Sequence, residues 1–260
     1  MIKIIRYTFF DLMRSSWSYF YLGFYLLLSS ILLFLSNDVA KSIITFMNIV
    51  TILIPLIATI FGVMYYYNSR EFIELLLAQP LRRTTLFIGQ YIGIALSLSL
   101  SLLFGMGIPF LLYGVLLSGE IFNFLMLIIT GIFLNFIFAG FSYLIALHNE
   151  NKIKGFSFSI LLWLFMAVIY DGVFLISLLI FQEYPLEKYS LIATFFNPID
   201  LSRILILLKL DISALMGYTG AIFKSFFGSK LGLWASMAML LAWIMGLLFF
   251  INRKAKRKDF

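Results

Sequence analysis

The 260-residue sequence contains no cysteine and one histidine, and each scarcity excludes a class of site. The absence of cysteine excludes disulfide scaffolds, thiolate metal sites and cysteine nucleophiles. The one histidine, His148, cannot build the usual zinc or copper cage, so we interpret it as a solvated loop residue. The sequence also lacks a G-x-x-x-x-G-K-S/T phosphate loop, so the chain itself is not expected to hydrolyse ATP by that route.

Hydrophobic residues make up 63% of the chain and charged residues only 12%, with a mean hydropathy of +1.05. A helix that crosses the hydrocarbon core of a bilayer needs about 20 apolar residues. Six windows are long enough: 17–36, 42–67, 84–119, 121–147, 156–182 and 231–252. Because they do not alternate with a period of two, helices are favoured over a barrel. The sequence therefore predicts an all-α polytopic membrane protein, with six transmembrane helices in a single domain over residues 1–260.

The window 84–119 is longer than one span requires. A long apolar helix tilts in the membrane or breaks where glycine and proline weaken it. We expect this one to tilt, or to break near Gly105, Gly107 and Pro109.

Lysine and arginine are distributed unevenly between the two predicted faces of the membrane. Positively charged flanks mark the cytoplasmic side. With the N-terminus in the cytoplasm, 13 of the 19 lysines and arginines lie on that side, so we predict that both termini are cytoplasmic. The same bias accounts for the net charge of +7, which therefore gives no argument for nucleic-acid binding.

Residues 1–16 predict an amphipathic helix. One stripe is apolar and consists of Ile2, Ile5, Phe9, Leu12 and Met13. The opposite side carries Lys3, Tyr7, Asp11 and Arg14. Such a helix would lie in the cytoplasmic interface of the bilayer, the alternative being a basic flank that sets topology and happens to be helical.

The stretch YYYNSREFIELLLAQPLRRTTLFIGQYIG (65–93) gathers charge between the second and third windows. Asn68-x-x-Glu71 predicts a capping box at the start of a short helix, which Pro80 then ends or bends before Arg82 and Arg83. One face of this helix would carry Glu71, Glu74 and Ala78, and the other Phe72, Ile73, Leu76 and Leu77. A cytoplasmic segment over residues 68–85 with this form suits the docking of another protein, the alternative being an ordinary positively charged loop.

Asp171 is the one formal charge inside a window. A carboxylate in a bilayer is costly, so it should face the interior of the bundle. Two interpretations are open: a role in a transport pathway, or a hydrogen bond to a tyrosine, serine or tryptophan of another helix.

The segment 183–230 is predicted to be extracytoplasmic. Within it, Asn197, Pro198, Ile199 and Asp200 predict a turn that leads into a helix. The helix would have an apolar stripe of Leu201, Ile204, Leu205 and Leu208. Asp200, Arg203 and Asp211 lie off this stripe. We expect this helix at the outer interface, where Asn197, Pro198, Asp200 and Arg203 would shape an exit gate or receive a periplasmic partner; the alternative is simple packing on the membrane surface.

The run ELLLAQPLRR (74–83) resembles the segment after the second transmembrane helix in permease subunits of ABC-type exporters. It departs from that pattern at Phe72 and Ile73, where glycine and threonine are common. The resemblance implies a homodimer and a separate ATPase chain that binds ATP and Mg²⁺, with no cofactor on this chain. It also implies which residues contact the ATPase: Glu71, Glu74, Pro80, Arg82 and Arg83.

Three further stretches, WLFMAVIYDGVFL (163–175), NPIDLSRILILLKLD (197–211) and ALMGYTGAIFKSFFGS (214–229), resemble permeases of the NosY type. Those permeases belong to a system that services the copper–sulfur centre of periplasmic nitrous-oxide reductase. The resemblance implies a bacterial inner-membrane protein with a copper- or sulfur-related cargo and a possible periplasmic accessory protein. The alternative function is a proton-coupled secondary transporter that uses Asp171, for which inverted repeats would be expected and are not evident.

Overall fold

A computed structural model describes residues 1–36, 38–78, 81–181, 187–209 and 230–257, and these residues form helices without strands. The helices are α1 (Ile2–Arg14), α2 (Ser16–Ser36), α3 (Val39–Asn68), α4 (Arg70–Leu77), α5 (Arg83–Leu112), α6 (Ile121–His148), α7 (Lys152–Leu164), α8 (Tyr170–Ile180), α9 (Glu187–Phe196), α10 (Pro198–Lys209) and α11 (Lys230–Ala255). A π-helical segment, Phe165–Ile169, joins α7 to α8. Among the described residues, six helical stretches can cross a membrane: Ser16–Ser36, Val39–Asn68, Arg83–Leu112, Ile121–His148, Lys152–Ile180 and Gly232–Ala255. The predicted all-α fold and its six spans are confirmed.

The helices α3 and α6 form the centre of the bundle and share its most extensive contact. The helix α5 packs against α6 on one side and against α1 and α2 on the other. The helix α11 lies on α6 and α5, and α7 lies on the outside of α3 and α6. Two polar caps start spans: Asp38 accepts a hydrogen bond from the backbone of Ala40, and Asn151 accepts from those of Ile153 and Lys154.

The helix α5 does not break near Gly105, Gly107 or Pro109, so of the two outcomes that were left open, a tilt or a break, the break is wrong. It continues through Gly105 and Pro109 to Leu112, and the rest of the long apolar window is a turn in which Gly114 and Gly119 have φ of +88° and +76°. Pro109 has no amide proton for the carbonyl four residues earlier, which belongs to Gly105. The hydroxyl of Ser29 on α2 donates to that carbonyl at 3.4 Å. A neighbouring helix thus satisfies the group that the proline leaves free.

The N-terminal helix α1 forms as predicted, and its polar side is exposed. Its buried side differs from the predicted stripe. Thr8 and Leu12 are buried, whereas Ile2 is 80% exposed. The reason is the pair Gly89 and Gly93 on α5, where a Cβ would lie 2.9 Å from the Ile4 side chain and 2.7 Å from Thr8 Cβ, respectively. Two glycines one turn apart let small side chains approach closely, so α1 packs on α5 through Ile4 and Thr8.

Substituting Gly62 by alanine is expected to destabilise the contact between α3 and α6. An added Cβ would overlap Ser142 Oγ and lie 3.1 Å from the carbonyl oxygen of Ala139. We expect a cost of about 1–3 kcal/mol, as for other overpacked cores. The thermal unfolding midpoint of the purified protein measures it. Gly107→Ala is the control, because nothing lies within 4 Å of its Cβ position; equal midpoints for both variants would contradict the prediction.

The helices α9 and α10 form a hairpin whose tip reaches the centre of the bundle. The helix α9 runs back along α8, because Tyr189 donates to Ser177 Oγ at 3.0 Å and Tyr170 donates to the Ala193 carbonyl at 2.6 Å. At the tip, Asn197 donates to the carbonyl of Met166.

The depth of this tip follows from the two spans that it contacts. Met166 is the central residue of the 29-residue span Lys152–Ile180. Trp243, which donates to the carbonyl of Phe195 at 3.2 Å, is near the centre of the 24-residue span Gly232–Ala255. The helix α10 then packs among α3, α6 and α11 and buries Leu201, Ser202, Ile204, Leu205 and Ile206. It is therefore not the one-sided surface helix that its sequence predicted, because three neighbours cover it.

Candidate functional site

Residues 65–70 (YYYNSR) run from the last turn of α3 to the first residue of α4 and contact several other elements at one end of the bundle. The first of these residues, Tyr65, donates a hydrogen bond to Asp11 of α1 at 3.0 Å. Beside this bond the ring of Tyr7 stacks on that of Phe72 of α4, with centroids 4.9 Å apart. The helix α1 is thereby attached to both α3 and α4.

A chain of buried polar groups connects the same segment to α5 and α6. Tyr143 of α6 donates to Gln90 Oε1 at 2.6 Å, and Gln90 of α5 donates to Ser69 Oγ at 3.4 Å. Ser69 in turn donates to the carbonyl of Tyr66, whose ring meets that of Tyr143 edge-on. Gln90 is 2% exposed, and buried amides of this kind are satisfied by such partners. Three helices therefore meet through hydrogen bonds at one level.

The third set of contacts reaches the loop between α6 and α7. Tyr67 donates to the carbonyls of Asn149 and Asn151, at 2.8 and 3.2 Å. Arg70 donates to the carbonyl of Glu150 at 3.4 Å and pairs with Glu74 of α4 at 3.0 Å. We call residues 65–70 the junction, because they contact α1, α4, α5, α6 and this loop.

The helix α4 begins with the last residue of the junction, Arg70, and presents the two faces that its sequence predicted. Glu71, Glu74 and Ala78 are exposed, whereas Ile73 is buried. Arg82 and Arg83 are exposed at the start of α5, and Pro80 lies outside the described residues. The predicted capping box is wrong: Asn68 is the last residue of α3, and the residue before α4 is Ser69, which makes no side-chain cap. The Asn68 side chain instead accepts from Lys152 Nζ at 3.2 Å.

A second polar cluster lies at the hairpin tip and combines residues that the sequence placed in two separate sites. Asp171 of α8 pairs with Arg203 of α10 at 2.6 Å, with about a quarter of each side chain exposed. Arg203 also lies 3.6 Å from Asp200, which is 8% exposed. The partner of Asp171 is therefore an arginine, and not the tyrosine, serine or tryptophan that one of the two interpretations of this residue named. Two carboxylates share one guanidinium here.

Asn197 holds the hairpin tip to the π-helical segment. Its side-chain amide donates to the carbonyl of Met166 and to Asp200 Oδ2, both at 2.8 Å, and its Oδ1 accepts from the backbone of Ile199 at 3.1 Å. A π-helical turn departs from the regular α-helical hydrogen-bond ladder, which suits a carbonyl that accepts from another element. Pro198 follows as the first residue of α10, where its missing amide proton has no cost.

Asn197→Ala is expected to lower the free energy of unfolding by about 2–3 kcal/mol, because three buried partners lose their hydrogen bonds at once. The thermal unfolding midpoint in detergent measures this loss. Asn123→Ala is the matched control, since Asn123 donates to the side chain of Glu120, the residue before α6, at 2.6 Å, and this bond stays within one element. A midpoint for Asn197→Ala no lower than that of the control would show that the hairpin is held elsewhere.

The junction was missed at the level of sequence, although a signal for it was present. Three consecutive tyrosines at the end of an apolar window have hydroxyl groups that need partners when buried. In the described part of the chain no three histidine or acidic side chains are grouped to hold a metal ion. His148 is exposed at the end of α6, with Nδ1 2.9 Å from the carbonyl of Leu144.

Residues 6–257 match the family described as ABC-2 family transporter proteins. The chain is also 27% identical over 191 residues to the probable ABC transporter permease protein NosY of Stutzerimonas stutzeri. That similarity covers 71% of the chain and 65% of the relative, so the chain spans just under two thirds of the relative's length.

Proposed function

The chain belongs to the ABC-2 family of transporter proteins, and from this premise we propose that it is a permease subunit driven by ATP that a separate chain hydrolyses. The sequence has no phosphate loop of its own, so ATP and Mg²⁺ would be bound by that ATPase. The observation that carries the proposal is α4, a helix with an exposed acidic face that begins at a junction in contact with α1, α5, α6 and the α6–α7 loop.

The segment 68–85 would dock the ATPase through its exposed charges. Glu71 and Glu74 face outward from α4, and Arg82 and Arg83 follow at the start of α5. Pro80 belongs to the same segment of the sequence and is proposed as a further contact, although it lies outside the described residues. Charged groups on a docking surface select the partner and fix its orientation more than they add affinity.

Motion of α4 would pass to the spans through the junction. A rigid displacement of α4 moves Arg70, Ser69 and Tyr67, whose partners lie on α5 and in the α6–α7 loop. Packed elements with discrete arrangements convert such a displacement into a change of state of the whole bundle. The permease would in this way switch between two conformational states and would not itself catalyse a reaction.

The movement that starts at α4 would end at the hairpin tip, which would act as the gate. Asn197, Pro198, Asp200 and Arg203 lie at mid-span and are attached to the span Lys152–Ile180 through Met166 and Asp171. Breaking these contacts would free α9 and α10 to shift relative to α8. The assignment of the segment 183–230 to the extracytoplasmic side rests on the distribution of lysine and arginine.

The proposed setting is the bacterial inner membrane, with both termini in the cytoplasm. Two copies would provide twelve spans around a pathway, and a periplasmic accessory protein would complete the system. The proposed cargo is a copper- or sulfur-related species for the maturation of nitrous-oxide reductase, and its support is the similarity to the NosY permease.

A proton-coupled transporter that uses Asp171 has less support. A proton carrier must release its charge partner during each cycle, and Asp171 is paired with Arg203 at 2.6 Å. Membership of the family also favours the ATP-driven mechanism.

Affinity purification tests the proposal. The tagged protein is solubilised gently from the membranes of its host, and the co-purifying chains are identified by mass spectrometry. We expect an ATPase chain, together with a periplasmic accessory protein if the cargo is right. Recovery of this chain alone, even after chemical crosslinking, would contradict an ATP-driven permease.

A further inference from the structure

One face of α1 stays exposed after the helix has packed on α5. This face borders a surface cavity of about 510 Å³ lined by Lys3, Arg6, Tyr7, Phe10, Asp11 and Arg14. Lys3, Phe10 and Arg14 are seven and four residues apart, so they share one stripe of the helix, with Arg6 beside it.

The cavity carries an excess of positive charge. Lys3, Arg6 and Arg14 face one acid, Asp11, and that carboxylate already accepts a hydrogen bond from Tyr65. The guanidinium of Arg6 lies over the ring of Phe10, 5.7 Å from its centroid. Such a contact holds the cation over an apolar surface while its remaining donors stay available.

The cationic face continues into an exposed aromatic group at the start of the first span. Trp17, Tyr19 and Phe20 of α2 are exposed, and tryptophan and tyrosine are enriched where a bilayer meets water. Leu12, one residue of the predicted apolar stripe, is buried in the bundle, whereas Ile2 stays exposed and Phe10 is exposed beside the cations. The surface that α1 leaves to lipid therefore offers cations to a headgroup and apolar groups to the first carbons of the acyl chains.

We propose that this face is a binding site for the headgroup of an anionic phospholipid. Lys3, Arg6 and Arg14 bind the phosphate, and Phe10 and Trp17 pack against the first carbons of the acyl chains. Charge complementarity selects an anionic lipid over a zwitterionic one, since each cation near an anionic surface strengthens binding about fivefold. The cations of this site lie on α1 and the charges proposed for ATPase docking lie on α4 and at the start of α5, although Tyr7, which lines the cavity, stacks on Phe72 of α4.

The test is a lipid titration of the purified protein. Native mass spectrometry measures the binding of phosphatidylglycerol or phosphatidylcholine. The variant Lys3→Gln/Arg6→Gln/Arg14→Gln is compared with Arg253→Gln/Lys256→Gln/Arg257→Gln, which removes three exposed cations after or near the end of α11. We expect phosphatidylglycerol to bind more than about twentyfold more weakly to the first variant and within about threefold of the original strength to the second.

Three outcomes would overturn the proposal. Equal losses in both triple variants would mean that only net charge matters, and equal binding of phosphatidylcholine would remove the role of the anionic headgroup. Unchanged lipid binding with a loss of the co-purifying ATPase would make the face a protein-docking surface. Because cations at the N-terminus also set topology, the single variants Arg6→Gln and Arg14→Gln are measured too, and each is expected to lose about fivefold.

Discussion

Replacing Arg203 with methionine is expected to destabilise the fold, so that little folded protein is recovered from the membrane. The substitution leaves the carboxylates of Asp171 and Asp200 without the guanidinium that they share, in a place where Asp200 is 8% exposed. Removing one partner of a buried ion pair is costly, and with a quarter of the Asp171 and Arg203 side chains exposed we expect about 3 kcal/mol. The measurement is the yield and unfolding midpoint of protein extracted from the membrane.

Two further variants separate the loss of the ion pair from the loss of the arginine side chain. The triple variant Asp171→Asn/Asp200→Asn/Arg203→Gln removes all three charges, so we expect it to recover most of the yield. Arg70→Met breaks the Arg70–Glu74 pair, whose side chains are 40% and 47% exposed, and should cost less than about 1 kcal/mol. Equal losses for Arg203→Met and Arg70→Met would show that the hairpin cluster contributes no more than a surface pair.

Reversing the charge of α4 with Glu71→Lys/Glu74→Lys is expected to abolish association with the ATPase while the protein still inserts and folds. Both side chains are exposed on the face opposite the buried Ile73. The variant also loses the exposed Arg70–Glu74 pair, which costs less than about 1 kcal/mol, so the bundle is expected to fold. Placing like charges across a docking surface costs several kcal/mol, which corresponds to at least about a hundredfold loss in affinity. Pull-down from detergent extracts and ATP hydrolysis in reconstituted vesicles measure it.

The control for this variant is Glu150→Lys, which reverses an exposed acidic residue in the loop between α6 and α7. We expect it to retain the ATPase, since its side chain is not on α4. If the α4 variant keeps the ATPase as well as the control does, α4 is not the docking helix.

The sequence was sufficient to predict the six spans and the two faces of α4. Continuous apolar windows identify membrane helices because a bilayer requires every backbone group to bond within its own segment. The spacing of Glu71, Ile73 and Glu74 was enough to assign the exposed and the buried side of this short helix, and the structure agrees.

Other features depend on contacts that periodicity does not encode. Asp171 and Arg203 were both identified, but nothing in either segment indicates that α9 folds back and brings them within 2.6 Å. The helix α10 was expected at the outer interface because Asp200 and Arg203 lie off its apolar stripe. It is buried because Arg203 lies close to Asp200 and pairs with Asp171 of α8. Asp211, also off the stripe, lies outside the described residues. A break near Pro109 was one of two outcomes left open, because the sequence does not show that the hydroxyl of Ser29, on a different helix, bonds to the carbonyl that the proline leaves free.

The most direct test of an ATP-driven permease uses the absence of cysteine, because a thiol introduced at Leu75 is the only one in the chain. Leu75 lies on α4 and is 70% exposed; Leu117, in the turn after α5, is 94% exposed and serves as the control position. A benzophenone maleimide attached at each position is photolysed in native membranes, and the adducts are identified by mass spectrometry. We predict an adduct with an ATPase chain from Leu75→Cys and none from Leu117→Cys. An ATPase adduct from Leu117→Cys alone, or none from either position, would contradict the docking of an ATPase at α4.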